Sequence, residues 1–323
     1  MSTDIKGIAP VDASPHFGPH VAILLCTYNG ERFIREQLDS ISAQTYLNWK
    51  VWISDDGSGD ATLEIVAEYR RRWGAEKLEI VQGPSRGFAQ NFLSLVCRNE
   101  IQADYFAYAD QDDVWEPEKL ERAVYQLEAL PQGCCSLYCS RTRLVDEAGV
   151  PIGFSPLFTQ RLDFRNALVQ NVGGGNTMVF NSLSCTVLRA AGPKLDVVAH
   201  DWWTYLAITA TGGMVIYDPE PSLSYRQHGA NLIGSNQGFG PRFARVRLLM
   251  QGQLQRWIDA NVASLRLIQQ LLPLEQQRIF LEFDESRRGG LFRRLLGLKR
   301  SGVFRQTAGG NIGLIVAAFF KKL

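Results

Sequence analysis

A chain of 323 residues with 46% hydrophobic content is long enough for one large α/β domain and an extension. Its net charge of +1 excludes a whole-molecule attraction to nucleic acid, and no nucleic-acid partner is expected. No stretch reaches the ~20 apolar residues of a membrane-spanning helix, the nearest being the short run Ile312–Phe320.

Residues 1–19, rich in Pro, Gly, Ser and Asp, predict a loose lead-in without the charged, apolar, small-residue order of a signal peptide. From 20 to 130, strand and helix signals alternate. Strands are expected near 21–26, 50–54, 78–82 and 104–109, and helices near 31–43, 60–73, 87–98 and 116–130. Such alternation predicts a mostly parallel sheet covered on both faces. Three of the strands run into polar loops. Val21–Cys26 ends in Thr27-Tyr28-Asn29-Gly30-Glu31. The strand around Val51 ends in Ser54-Asp55-Asp56-Gly57-Ser58-Gly59-Asp60, where Asp60 is placed to cap the next helix. Tyr105–Ala109 ends in Asp110-Gln111-Asp112-Asp113. Three carboxylates within four residues repel one another, and at a buried strand end they need a cation or many hydrogen bonds. The carboxyl ends of strands in an open α/β sheet form its ligand crevice.

From 134 to 230 the pattern is mixed. A turn is expected at Asp146–Gly149. Gly173-Gly174-Gly175 lacks the spacing of a phosphate loop and reads instead as a place where backbone passes close to another segment. Pro241–Leu272 predicts a long amphipathic helix, with Phe243, Val246, Leu249, Leu254, Trp257 and Ile258 on related faces, and a second helix is expected over Leu274–Phe283. Nine of the 34 basic residues and none of the 33 acidic ones fall between Arg287 and Leu323, so an acidic body carries a basic tail. The six cysteines lie mostly in apolar runs without zinc-site spacing, which predicts free thiols in a reduced cytoplasmic setting.

The runs Cys26–Asn29, Asp55–Ser58 and Asp110–Asp113, in this order and spacing, resemble the donor half of family 2 glycosyltransferases. Gly175–Asn181, His200-Asp201-Trp202-Trp203 and Tyr225–Gly229 extend the resemblance to roughly residues 20–230. Within that family the chain is most similar to bacterial rhamnosyltransferase-type enzymes of surface-polysaccharide synthesis. The resemblance implies a GT-A-type α/β fold, with a mixed, mostly parallel sheet flanked by helices and a C-terminal helical extension. It implies a transferase domain over 20–235, with a donor half at 20–130 and an acceptor half at 131–235, followed by a helical region at 236–323. The implied reaction is inverting, metal-dependent transfer, using Mg²⁺ or Mn²⁺ and a dTDP- or UDP-linked sugar, onto a glycan or polyprenyl-diphosphate-linked acceptor.

The family's motifs assign roles residue by residue. Thr27, Tyr28 and Asn29 grip the nucleoside, with Glu31 on the loop or a ribose hydroxyl. Asp55 or Asp56 accepts the imino hydrogen of a pyrimidine base. Asn91, with Gly87, is a looser nucleotide contact. Asp110 and Gln111 belong to the donor site, and either Asp112 or Asp113 is the metal ligand. Asp201 is the catalytic base, compatible with a second role as a helix cap. The family usually shows an acidic pair here, and this chain has His200-Asp201 instead. Trp202 and Trp203 offer either a sugar-stacking surface or core packing. Arg226 is placed to clamp phosphate, and His228 to ligate metal or orient phosphate. Asn176 and Asn181 contact hydroxyls or make a polar turn. Gln253–Trp257 matches a pattern of processive synthases, but without membrane helices it reads as coincidence on an amphipathic helix. The basic tail, interleaved with Leu291, Phe292, Leu295, Leu296, Leu298 and Phe304, suits an anionic membrane surface and places the protein peripherally on the cytoplasmic membrane's inner face. Two rival readings are weaker. A sugar-nucleotide-forming nucleotidyltransferase needs a basic Gly-rich loop after the first strand, and a dead scaffold does not need the intact acid set.

Overall fold

The computed structural model describes residues 18–228 and 252–323. The donor half runs β1 (Val21–Thr27), α1 (Ile34–Ser42), β2 (Trp49–Asp55), α2 (Thr62–Trp73), β3 (Leu78–Gln82), α3 (Phe88–Val96) and β4 (Tyr105–Asp110). It continues through the short β5 (Val114–Trp115) to α4 (Lys119–Glu128). Next come β6 (Ser136–Ser140), β7 (Arg143–Val145), β8 (Pro151–Phe154), α5 (Phe164–Ala167), β9 (Val179–Asn181), α6 (Ser182–Ala191), α7 (His200–Ala210), β10 (Met214–Asp218) and β11 (Leu223–Arg226). Four helices follow: α8 (Gln253–Leu267), α9 (Leu274–Arg287), α10 (Leu291–Ser301) and α11 (Ala308–Phe319).

Among the described residues the strands form two sheets. The larger has seven strands in the order β10-β6-β9-β4-β1-β2-β3, and only β9 runs antiparallel to its neighbours. The smaller has the order β5-β11-β7-β8, and the turn expected at Asp146–Gly149 joins its strands β7 and β8. Apolar residues run unbroken through β1 because both faces are buried. Ala22, Leu24 and Cys26 pack into one core, and Val21, Ile23 and Leu25 into the other. The expected donor-half elements are present, shifted by up to three residues at their ends. The largest shifts are at the starts of α1 and α4, which begin at Ile34 and Lys119; residues 31–33 stay in the turn that follows β1.

The C-terminal helices share the core of the α/β body. Ile258, Val262, Leu265, Phe280, Phe283 and Leu314 belong to the same cluster as Trp203 and Leu206. Of the long helix expected over 241–272, α8 accounts for Gln253–Leu267, and Phe243, Val246, Leu249 and the expected boundary at 235 lie outside the described residues. Trp257, from the synthase-like pattern, packs edge-on against Trp202 at 6.2 Å between ring centroids.

Trp202 and Trp203 therefore offer no sugar-stacking surface. Trp202 is 6% exposed and its Nε1 donates to the Ala167 carbonyl at 2.7 Å, while Trp203 is fully buried. Helix α7 is buried along nearly its whole length, so both indoles face protein on every side. Trp203→Ala should cost roughly 3–5 kcal/mol of stability, read as a lowered denaturant midpoint, whereas loss of activity with unchanged stability would restore a direct role.

Candidate active site

Strand register assembles the site. Parallel pairing sets Thr27 opposite Asp55 and Cys26 opposite Asp110, so the polar loops of three strands leave the sheet side by side. Asn29 and Glu31 then stitch the first two loops together. The Asn29 amide donates to Ser58 Oγ at 2.9 Å, and the Gly59 amide donates to Asn29 Oδ1 at 2.8 Å. The Glu31 amide donates to Asp60 Oδ2 at 3.0 Å, and the Ala61 amide to Glu31 Oε2 at 2.9 Å. Asn29 adopts a left-handed φ of 48°, which asparagine tolerates better than most residues. Gln111 joins the third loop by two bonds to the Tyr28 backbone, at 2.9 and 3.0 Å, leaving the Tyr28 ring 59% exposed. Gly30 leaves room for the Gln111 amide, which a Cβ there would displace.

Asp55 and Asp56 differ in what they have left to accept. A carboxylate offers about four acceptor positions. Asp55 accepts from Thr27 Oγ1, the Gly57 amide, and both the amide and hydroxyl of Ser58, so it is saturated. Among the described residues Asp56 accepts only from the Ser85 and Gly87 amides, at 2.6 and 2.8 Å. Of the pair expected to read a base, Asp56 alone keeps capacity. The same accounting corrects Thr27 and Asn91. Thr27 is 2% exposed with its hydroxyl on Asp55, and Asn91 is 1% exposed, exchanging two hydrogen bonds with Ser54. Both hold the strand ends rather than present side chains to a ligand.

The acidic loop after β4 is resolved in the same way. Asp113 is fully buried and accepts from Asn176 Nδ2 at 2.5 Å and the Arg226 amide at 3.3 Å. Burial, then Asp112 and Asp110, push its carboxyl well above the usual range. Asp113 is thus enclosed, whereas Asp112 stays partly exposed. Asp112 Oδ2 lies 2.7 Å from His228 Nε2, and both side chains keep some exposure. Asp110 is pushed up to about 8 by burial, then by Asp112 and Asp201. Asp110 and Asp56 both raise the Cys26 thiol, after burial. Asp56 and Asp110 therefore both lie near Cys26, and Asp110 lies near Asp112 and Asp201, along one edge of the sheet.

Asp201 sits in the first turn of α7 and is held above the usual carboxylate range by burial. Its Oδ1 accepts from the Trp202 amide at 2.6 Å and its Oδ2 from the Gly175 amide at 3.3 Å. It does not cap α7 as expected, because the helix already begins at His200, with Ala199 in the cap position and no side-chain cap bond. Gly175 allows that approach, since a Cβ there would collide with His200 Nε2 and crowd Asp201 Cβ. The His200 ring stacks on Phe92 at 3.9 Å with neither nitrogen partnered, and burial lowers it to about 3.

Two expected contacts become structural. Arg226 is 3% exposed. It bonds Glu36 at 2.5 Å, the Asp112 carbonyl at 3.1 Å and the Glu147 carbonyl at 2.8 Å, with its guanidinium 4.6 Å over Phe33. It braces the acidic loop rather than clamping phosphate. Asn181 caps α6 by accepting from the Ser184 amide.

Lys119 escaped the sequence reading. It begins α4, where a lysine reads as a solvated helix charge, yet it is fully buried. Its Nζ donates to the Asn176 carbonyl at 2.8 Å and lies 4.7 Å over the Trp115 ring. Burial lowers it to about 7 against the pull of Asp113 and Asp110. It is a buried amine beneath the acidic loop, near Asp113 and Asp110.

The donor set fits a divalent ion. Among the described residues no group of three or more His, Cys, Asp or Glu is arranged to hold a metal alone. Asp112 with His228 supplies two donors, and Asp110 and Asp113, raised chiefly by burial and then by their acidic neighbours, place further carboxyl groups beside them. A hard cation completed by substrate phosphates suits such a set.

Residues 22–184 match the sequence profile described as Glycosyl transferase family 2. The chain belongs to that family. Like other family 2 members it is a glycosyltransferase, and its relatives include the dTDP-rhamnosyl transferase RfbG of Shigella flexneri, 29% identical over 75% of this chain and 83% of that one. The putative teichuronic acid biosynthesis glycosyltransferase TuaG of Bacillus subtilis is 26% identical over 50% of this chain and 62% of that one. In fold, this family 2 enzyme resembles S. aureus TarS residues 1–349 in complex with UDP-GlcNAc, with a TM-score of 0.55, 14% identity, and coverage of 93% of this chain and 89% of that one. The mannosyltransferase PcManGT of Pyrobaculum calidifontis, in complex with GDP-Man and Mn²⁺, gives 0.52 and 18% identity, covering 97% of this chain and 88% of that one. The expected GT-A-type fold is present.

Two predictions follow from the buried groups. If Lys119 serves the acidic loop, Lys119→Met should cost about 1–3 kcal/mol, and less in an Asp113→Asn background, with a coupling above about 0.5 kcal/mol in denaturant melts. Additive losses would make it an ordinary packed side chain. His200 is lowered in the folded state, so the stability tied to its neutral form is present above pH 6.5 and is lost as pH falls toward about 3. His200→Phe should therefore shift acid unfolding to lower pH, and an unchanged acid midpoint would contradict the assignment.

Proposed function

We propose that this family 2 enzyme is an inverting, divalent-metal-dependent transferase that moves L-rhamnose from dTDP-rhamnose onto a glycan or polyprenyl-diphosphate-linked acceptor. It would act at the inner face of the cytoplasmic membrane, in surface-polysaccharide synthesis. The observation that carries the reading is the gathering of Asp56, Asp110, Asp112 and Asp201, far apart in sequence, along one sheet edge. The dTDP-rhamnosyl relative supports the donor, and the neighbour bound to Mn²⁺ supports a divalent ion.

Asp56, with acceptor capacity to spare, takes the imino hydrogen of the pyrimidine. The exposed Tyr28 ring, on the loop that Gln111 holds, is free to cover the nucleoside. Asp112 and His228 would hold Mg²⁺ or Mn²⁺, which when bound supplies Lewis-acid stabilisation of the departing diphosphate. Asp201 removes the acceptor hydroxyl's proton as that oxygen attacks the anomeric carbon from the face opposite the diphosphate. The new glycosidic bond forms while the bond to the phosphate oxygen breaks. A base raised by burial is better matched to neutral pH than an ordinary carboxylate. The bonds from the Trp202 and Gly175 amides fix its aim.

The test is transfer or hydrolysis of a panel of nucleotide sugars with Mg²⁺ or Mn²⁺. Asp201→Asn should lower kcat by about 10²–10⁴ with the donor KM little changed, and Asp56→Asn should chiefly raise the donor KM. Turnover of UDP-sugars but not dTDP-rhamnose would overturn the donor. Full activity of Asp201→Asn would overturn the base.

A further inference from the structure

The expectation for the tail was a basic amphipathic helix lying on a membrane. The structure instead pairs α10 and α11, and two of the nine cations are drawn inside. Arg294 is buried, donating to the Ala318 and Phe319 carbonyls at the end of α11 and to the Gly289 carbonyl before α10. Arg287 is buried between Asp284 and Asp259 and reaches the Leu323 carbonyl at 3.5 Å. These bonds bring the start of α10 to the end of α11.

What they leave outside is unusual for a water-facing surface. Phe292 is 80% exposed, and Phe319 and Phe320 are 53% and 52% exposed, all at that shared end. Ile312 and Ile315 continue the apolar surface along α11, in register with Phe319 on the helix face opposite buried Leu314, Ala317 and Ala318. Isolated exposed apolar residues need no explanation, but a contiguous set marks an interaction surface.

The surrounding charge selects the partner. Lys321 follows Phe320 directly and is exposed, and Lys299 and Arg300 are exposed in the last turn of α10, where Arg300 lines a groove with Glu282 and Glu285. A cavity of about 230 Å³ is lined by Arg287, Arg288 and Lys321, with Asp259 engaged by Arg287. Arg293 sits in an exposed ion pair with Glu285, which is weak enough to exchange for other anions, whereas Arg288 pairs with Asp284, a buried carboxylate that also binds Arg287 and Arg266. No acidic residue lies between Arg287 and Leu323, while the rest of the chain is net negative. An anionic surface would attract this end and repel the remainder.

We propose that the α10–α11 end is a membrane dock. Phe292, Phe319 and Phe320 enter the interface of an anionic bilayer, while Lys321, Lys299 and Arg300 engage lipid phosphates. The proposal deepens the membrane placement proposed above. Vesicle binding reads it without any sugar transfer, and donor hydrolysis reads the active site without any vesicle, so either can fail alone.

The experiment is co-sedimentation of the full chain with phosphatidylcholine vesicles and with phosphatidylcholine–phosphatidylglycerol vesicles. The wild type should bind the anionic vesicles, bind neutral ones far less, and release as ionic strength rises. Lys321→Glu should weaken binding by roughly tenfold or more, since each cation near an anionic surface contributes about a fivefold factor. The double variant Phe292→Ser/Phe319→Ser should weaken it by at least about tenfold. Thermal midpoints and donor hydrolysis should stay near wild type for all of them. Equal binding to both vesicle types, or variants that bind as the wild type does, would overturn the dock. So would a wild-type dimer that the phenylalanine substitutions dissociate, with no vesicle binding, because the patch would then be a contact between copies of the chain.

Discussion

Repulsion between carboxylates, forced together by parallel strand register, is the constraint on which the rest of this structure turns. Pairing β1 with β2 and β4 brings three acidic or polar loops to one edge. Negative charge gathered there has to be relieved. Each carboxylate is relieved differently. Asp55 is saturated by four donors, Asp113 is buried against Asn176 with Lys119 beneath, Asp112 meets His228, and Asp201 takes two backbone amides. The bonds that relieve charge are the same bonds that hold the loops, so the geometry of the crevice follows from solving its electrostatics.

That dependence explains why the fold was more legible than the roles of individual residues. Alternating apolar runs and polar strand ends, read along the chain, predict the donor half's strands and helices and the convergence of its loops. The close approach at Gly175 was also legible, because three glycines without phosphate-loop spacing leave little else for them to do. Roles depend on hydrogen-bond occupancy, which sequence does not display. Asp55 and Asp56 are adjacent and chemically identical, and only a count of donors separates them. Thr27, Asn91 and Arg226 carry suitable groups in suitable motifs, yet those groups are already engaged by Asp55, Ser54 and Glu36. Lys119 was missed because a lysine opening a helix predicts solvent, and its burial follows only from the tertiary placement of α4.

The C-terminal region shows the same limit on a larger scale. Its charge asymmetry is plain in the sequence. Sequence does not say which cations serve the interior, and Arg287 and Arg294 do so by satisfying carboxylates and helix-end carbonyls. The remaining charge is sorted to the outside together with the phenylalanines. Residues of α8, α9 and α11 share a core with α7, so the tail packs into the same cluster as the element that carries Asp201.

The histidine at position 200, where the family usually shows an acid, fits the same electrostatic frame. Asp110 already senses both Asp112 and Asp201. A carboxylate at 200 would add another negative charge against the Phe92 face, where the ring nitrogens of His200 find no hydrogen-bond partner. Such a group would be desolvated without donors, a costly arrangement. A neutral imidazole avoids that cost, because stacking on Phe92 and edge contact with Tyr108 suit an uncharged ring. The substitution leaves Asp201 as the single ionisable acid of the pair, so proton removal at this position has one carboxylate to work with rather than two that share a charge.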